Sequence, residues 1–305
     1  HPHWDRDGVH EIIRRWRAIL DAADRELMMV AEAWVNPSRL PLYLRPDEYH
    51  QSFNFDFLGA PWDAEHAHEA IDRAIAAAVS VDSVPTWTVS NHDVMRHATR
   101  YGLPGGINWR AWPLDGPHEL LDAELGLRRA RASALLMMAL PGSVYIYQGE
   151  ELGLPDVWDL PPDVLDDPVW ENTGRQMKGR DGCRVPIPWT TDGPSYGFGS
   201  GTAWLPQPEV FGALSVEAQR DVEGSTWSMY RDALAIRRQW FTADESFEWV
   251  DIDRPALAFR RGSGLVCVVN FGAERAELPD GEVLISSEPI VGRALPGNAA
   301  AWVRT

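Results

Sequence analysis

Apolar side chains recur at helical spacing between Val9 and Leu20, at Val9, Ile12, Ile13, Trp16, Ile19 and Leu20, so a helix is expected there. The next apolar stretch is different. Leu27, Met28, Met29 and Val30 follow one another without a polar break and lead to Glu32. A short continuous run of this kind fits a strand buried on both faces. From His50 to Leu58 the apolar positions alternate, which predicts a strand with Phe53, Phe55 and Phe57 on one face. At least two of those three rings are expected to face a core. Ala64 to Val81 is alanine-rich with acidic residues early and predicts a helix. A β-rich run, Thr86 to Val89, ends in Asn91, His92 and Asp93. Leu120 to Leu140 predicts a helix stopped by Pro141 and Gly142. Ser143 to Tyr147 then reads as a short strand before Gln148-Gly149-Glu150-Glu151.

Strand-then-helix units in succession suggest a (β/α) barrel, whose chemistry collects at the C-terminal ends of its strands. Asp156 to Pro208 is rich in Gly, Pro and Trp and has little periodicity. So long a loop in a compact domain is usually functional. Ser215 to Trp240 returns to helical spacing. Beyond Thr242 come short β runs, Phe247–Ile252, Ala256–Arg260, Leu265–Phe271 and Glu282–Ile285, with turn signals between them. The expected division is therefore residues 1–242, part of an α/β barrel domain, and 243–305, a small antiparallel β domain.

Two strand ends carry acids, Glu32 and Asp93. A carboxylate at the end of a buried strand is costly unless it is paired or used. The plain alternative is that Glu32 has simply left the core where its strand ends.

VAEAW around Glu32 and VSNHD around Asp93 resemble two signature regions of the α-amylase-type glycoside hydrolases. Supporting text is GVHEIIRRWRAIL, HQSFNFDFLGAPW, ALPGSVYIYQGEELGLP and GRDGCRVPIPW, in that order along the chain. The surrounding sequence is most similar to bacterial α-glucosidases of that family. The resemblance implies strands 5 to 8 of an eight-stranded (β/α)8 TIM barrel, followed by the small β domain. It implies that Glu32 is the acid/base and Asp93 an auxiliary carboxylate gripping sugar hydroxyls. It also implies that His92 donates a hydrogen bond to the same sugar, and that Arg180 holds a carboxylate and touches that ring. A satisfied structural histidine and a surface ion pair are the plainer readings of His92 and Arg180. Glu150 and Glu151 follow strand 8 and read as loop structure or pocket wall rather than as catalytic groups.

Retaining cleavage of a glycoside needs a nucleophilic carboxylate and a carboxylic acid about 5 to 5.5 Å apart. The acid is expected to have a raised pKa through burial near other carboxylates. The family's nucleophile is an Asp in a GFRxD-type motif on strand 4, and this sequence contains none. Asp5, Asp7, Asp21 and Asp24, which precede Glu32, stand at no plausible strand end. The expectation is the back portion of a longer α-glucosidase, acting on short α-glucosides and inactive alone. The alternatives are a non-catalytic sugar-binding or scaffold relative, and an isomerase or transferase of the same fold.

Composition changes this picture little. The formal charge of −17 argues against nucleic acid or an anionic membrane as partner. Fifteen Trp are a minor pointer to sugar rings. Cys183 and Cys267 have no metal or redox spacing, and no metal site or cofactor is expected. The expected partner is a small α-glucoside. The chain has no apolar run long enough to span a bilayer and no signal peptide, and a cytoplasmic location is expected.

Overall fold

The computed structural model describes residues 3–241, 246–262 and 264–305. The expected domain junction at 242/243 lies outside the described residues. Two compact units emerge: the described residues up to Thr88 together with Leu140–Tyr145, and Val89–Ala139 together with the rest of the chain from Ile146.

The first unit holds four short parallel strands. β1 (Val30–Ala31) pairs with β2 (Gln51–Ser52), Val30 opposite Gln51. β3 (Thr86–Trp87) pairs with β4 (Ser143–Val144), Thr86 opposite Ser143. Side chains join the two pairs. Thr86 Oγ1 donates to the Ser52 carbonyl. Gln51 Nε2 donates to Ser143 Oγ at 2.6 Å, and Gln51 Oε1 accepts from the Tyr145 hydroxyl at 2.7 Å. Helix α1 (Gly8–Asp21) precedes β1. The turn α2 (Phe55–Gly59) and helix α3 (Ala64–Val79) lie between β2 and β3. Asp63 caps α3, accepting the His66 N–H. Trp87 is fully buried, its indole donating to the Pro141 carbonyl, with Phe57 edge-on at 5.1 Å.

Helix α1 is anchored through a buried acid. Glu48 has no exposed surface; it meets His10 Nδ1 at 2.7 Å and Arg14 Nη1 at 2.9 Å, and also pairs with Arg45. Ile13 is buried, yet Ile12, Trp16 and Ile19 on another face of α1 are exposed.

Two expectations need correction here. The run Leu27–Val30 is not a strand buried on both faces. Its strand is only Val30–Ala31, Met28 is 57% exposed, and Leu27, Met29 and Val30 are half-buried. β1 has a strand neighbour on one side alone among the described residues, so its apolar side chains lack cover. The alternating stretch from His50 to Leu58 is strand for two residues and then coils into α2. Asn54 is the reason: its side chain accepts the Phe57 N–H and starts the turn. Only Phe57 is buried; Phe53 and Phe55 are half-buried.

The second unit contains helix α4 (Ala123–Ala139), buried continuously from Ala132 onward. Against it lies a five-stranded antiparallel sheet, in spatial order β5 (Phe247–Val250), β6 (Ala256–Arg261), β7 (Leu265–Asn270), β11 (Ala299–Arg304) and β9 (Glu282–Ser286). A two-stranded ribbon, β8 (Ala276–Glu277) with β10 (Ala294–Leu295), completes the β region. Trp302 on β11 is fully buried and donates its indole N–H to the Leu135 carbonyl of α4 at 3.1 Å. Arg261 Nη1 caps the Ala139 carbonyl at 2.9 Å. The stretch Ser215–Trp240 is two helices, α7 (Val216–Gln219) and α8 (Thr226–Trp240). Asp221 and Gly224, both at positive φ, break it, and Ser225 caps α8. The segment from Asp156 to Pro208 contains only short helices, including α5 (Pro168–Asn172) and α6 (Asp181–Arg184). It still has a core: Leu154, Val157, Leu160, Val185, Ile187 and Leu205 cluster with Phe211. Among the described residues no helix is long and apolar enough to cross a membrane.

Candidate active site

At the start of the second unit Ser90 leads into a turn at Asn91, whose Oδ1 accepts the Asp93 N–H at 2.8 Å. This Asx turn presents the Asp93 carboxylate. Asp93 Oδ1 accepts from Arg180 Nη1 at 2.8 Å and from Arg184 Nη2 at 3.0 Å. His92 Nε2 stands 3.5 Å from the same oxygen, and its ring is largely exposed. The His92 carbonyl accepts Arg184 Nε at 2.8 Å. Asp93 Oδ2 accepts no hydrogen bond among the described residues. One oxygen is thus fixed and the other is open to a ligand donor.

Arg180 is held from behind by a second acid. Asp167 Oδ1 accepts Arg180 Nη2 at 3.0 Å, while Oδ2 accepts Arg180 Nε at 2.5 Å and the Arg180 N–H at 2.8 Å. A fork-on-fork pair of this kind fixes the guanidinium plane as well as its charge. The Asp167 side chain is fully buried. Burial alone would raise its pKa, but the Arg180 hydrogen bonds and the N–H groups of Val169 and Arg180 outweigh it and hold it at about 2. Asp167 also begins α5 by accepting the Val169 N–H. Its own backbone is placed by Asp181 Oδ2, which accepts the Asp166 and Asp167 N–H groups at 2.7 and 2.9 Å. Gly179 makes the close approach possible: it sits at φ +82°, and a Cβ there would stand 2.8 Å from Asp167 Oδ2. Asp93 and Asp167 with Arg180 and Arg184 form a charge-balanced quartet.

Arg96 supports this arrangement from below. Its Nη1 donates to the Gln148 carbonyl at 2.8 Å and its Nη2 to the Cys183 carbonyl at 3.0 Å, with the guanidinium 5.0 Å from the Tyr147 ring centre. The loop after β4 and the Arg180–Arg184 turn are therefore tied to one side chain. The Cys183 thiol is pushed by burial up to about 12, which keeps it protonated and inert. Glu150 is buried, and its pKa is raised by desolvation to about 8. It accepts the Tyr147 N–H and the Tyr230 hydroxyl, an interior anchor for the loop. Glu151 accepts the Gly149 N–H.

Glu32 belongs to the first unit, directly after β1, and is exposed. The burial expected to surround it is not seen in that unit. Two residues on, Trp34 stacks flat on Phe55, ring centres 3.7 Å apart. Of the four residues singled out by sequence, His92, Asp93 and Arg180 come together in the second unit. Sequence reasoning missed Arg184 and Asp167. Arg184 was findable, four positions after Arg180 and so on the same face of a helical turn. Asp167 carried no comparable signal.

The model of the α-amylase catalytic domain matches residues 2–244, and that of a domain of unknown function (DUF3459) matches residues 231–302. This chain belongs to the α-amylase catalytic-domain family. Its four parallel strands are strands 5 to 8 of the family's (β/α)8 barrel, followed by the antiparallel β domain. Among its relatives, a probable α-glucosidase of Rhizobium meliloti is 31% identical over 281 residues, 88% of this chain and 47% of the relative. The trehalose synthase/amylase TreS of Mycobacterium tuberculosis is 27% identical over 76% of this chain and 40% of its own length. Among solved structures, the α-glucosyl transfer enzyme XgtA superposes with TM-score 0.74 at 29% identity, covering 98% of this chain and 55% of that one. The trehalulose synthase MutB from Pseudomonas mesoacidophila, at 21% identity and TM-score 0.77, covers 98% of this chain and 59% of its own, and shares the fold. The chain spans about half the length of the curated relatives it matches.

Proposed function

We propose that this chain carries the acid/base and auxiliary-carboxylate part of a retaining α-glucosidase acting on short, maltose-like α-glucosides. The observation that carries the reading is the Asp93 carboxylate, fixed through one oxygen by Arg180 and Arg184 with its other oxygen open, in a chain of the α-amylase family. Asp93 Oδ2 would accept a hydroxyl of the glucose ring, and His92 would donate to the same ring. Glu32 would give its proton to the glycosidic oxygen as the C1–O bond breaks, then take a proton from the water that releases glucose from a nucleophilic carboxylate.

No motif for that nucleophile occurs in this sequence, so double displacement needs a carboxylate from outside it. The isolated chain is expected to be silent. A second reading, transfer of the glucosyl group to a sugar hydroxyl instead of water, is favoured by the likeness to the α-glucosyl transfer enzyme XgtA. The two differ only in the acceptor that reaches the glucosyl intermediate. A small α-glucoside is the proposed partner in either case.

The test is nitrophenol release from p-nitrophenyl α-glucoside, by the 305-residue chain and by the same chain preceded by the front half of the Rhizobium meliloti relative. Activity in the completed protein, lost on Glu32→Gln, supports the hydrolase. Turnover by the chain alone contradicts the need for an outside nucleophile. Silence in both, with the completed barrel shown to be folded, favours a binding or scaffold role.

A further inference from the structure

In the second unit the start of α4 and the stretches from Gly153 to Asp159 and from Pro208 to Leu214 border a groove of about 370 Å³. It includes none of Asp93, Arg180 and Arg184. Its walls are mostly apolar. Leu121, Leu127, Val157, Val210 and Leu214 line it, and Val210 is 49% exposed. Its charged lining is of one sign: Glu124, Asp156 and Asp159, with no Arg, Lys or His among the described residues. Asp156 is buried and accepts the Arg96 N–H at 3.0 Å. Glu124 and Asp159 are exposed and form no ion pair among the described residues. Lys178 feels the Asp159 charge, but its ammonium donates to the Trp158 and Leu160 carbonyls at 2.9 and 3.0 Å.

The dimensions and charge limit what can enter. The volume lies within the range of small-molecule sites, and contiguous exposed apolar surface rimmed by polar groups marks a binding surface. An apolar body that fills the groove takes water away from the carboxylates beside it. That costs free energy unless the body brings a positive charge, whose attraction to them then strengthens as water leaves. A neutral body forgoes that gain, and an anion is repelled. Trp158 also lines the groove, its indole held by His118 at 4.1 Å and by the edge of Trp112 at 5.1 Å between ring centres.

We propose that this groove binds a compact apolar molecule bearing one ammonium group, the body held among Leu121, Leu127, Val157, Val210 and Leu214 and the charge set toward Glu124 and Asp159. The site is separate from the Asp93–Arg180 pair and stands whether or not the hydrolase reading does.

The experiment is a ligand-observed NMR titration of the 305-residue chain with adamantylammonium near neutral pH. Adamantanol and adamantanecarboxylate carry the same cage with no charge and with the opposite charge. Saturable binding of the ammonium compound is expected, with the alcohol several-fold weaker and the carboxylate weakest. Glu124→Gln and Asp159→Asn should each weaken binding by about two- to fivefold, the worth of one exposed ion pair. Asp93→Asn should leave it unchanged, which tells this groove apart from the candidate active site. Ala123→Trp and Val210→Trp each fill the groove from an exposed position, and whichever keeps the parent melting temperature should lose binding. Absence of saturable binding overturns the proposal. So does equal affinity for the alcohol or the carboxylate, unchanged affinity when both acids are replaced, loss of binding in a folded Asp93→Asn protein, or full binding in a folded groove-filled variant.

Discussion

Two apolar runs that look alike in sequence end in different surroundings. Leu27–Val30 and Val266–Val269 are both unbroken apolar stretches. The second lies on β7, hydrogen-bonded to β6 on one side and β11 on the other, and is fully buried. The first is half-covered at β1, which has β2 alone beside it among the described residues. The helices differ in the same way. α4 is buried on nearly every side over its last two turns, whereas α1 leaves Trp16 50% and Ile19 69% exposed. Burial is a property of neighbours. An apolar run states what a segment would accept as cover and is silent on whether the cover is there.

The sharpest way to test that contrast is to cut the same kind of side chain in both places. Trp302→Ala removes a fully buried indole and its bond to the Leu135 carbonyl, and should cost about 4 kcal/mol, read as a lower urea midpoint. Next in size is Asp167→Asn, which leaves the Arg180 guanidinium without its buried partner. A loss of about 3 kcal/mol is expected. Because the folded Asp167 pKa is depressed to about 2, its stabilisation is present above the ordinary carboxylate value. It should fade as pH falls through 2, and the Asn variant should lack that acid-side loss.

Glu150 behaves in the opposite sense. Its folded pKa is raised from 4.5 to about 8, so it favours the fold below 4.5 and that contribution is lost as pH rises through 8. Stability should decline across this window by up to about 1.4 kcal/mol per pH unit, and Glu150→Gln should flatten the decline in urea melts taken from acid to alkaline pH. The smallest effect belongs to the first unit. Ile19→Ala on the open face of α1 should change stability by no more than about 0.5 kcal/mol. A loss there as large as that at Trp302 would mean that α1 is covered after all.

Much of the layout was legible. α1 and α4 follow from apolar spacing and α3 from an alanine-rich stretch with early acids, whereas the strands ahead of Glu32 and Asp93 are each only two residues long, shorter than the runs that predict them. Three features were hidden for physical reasons. The strand β11 reads AAAWVR, and three alanines carry little β signal; packing on α4 makes it central. The Phe53–Phe57 alternation was overruled by the Asn54 cap, a single local hydrogen bond that ends a strand. The clamp on Arg180 spans 13 positions within a segment of almost no periodicity, and only the folded loop brings Asp167 to it. Arg180 itself was recognisable, but what aims it was not.

The central claim is that Asp93, held by two arginines through one oxygen, grips the sugar with the other. The measurement that tests it most directly is the rate of p-nitrophenyl α-glucoside cleavage by the completed protein carrying Asp93→Asn, set against its unmutated parent. The substitution keeps the shape and removes the charge. A fall in kcat/KM of about a thousandfold or more, with the fold intact by circular dichroism, is the expected result. A completed, active protein in which Asp93→Asn changes kcat/KM by less than a few-fold would contradict the account and leave Asp93 as a structural anchor for Arg180 and Arg184.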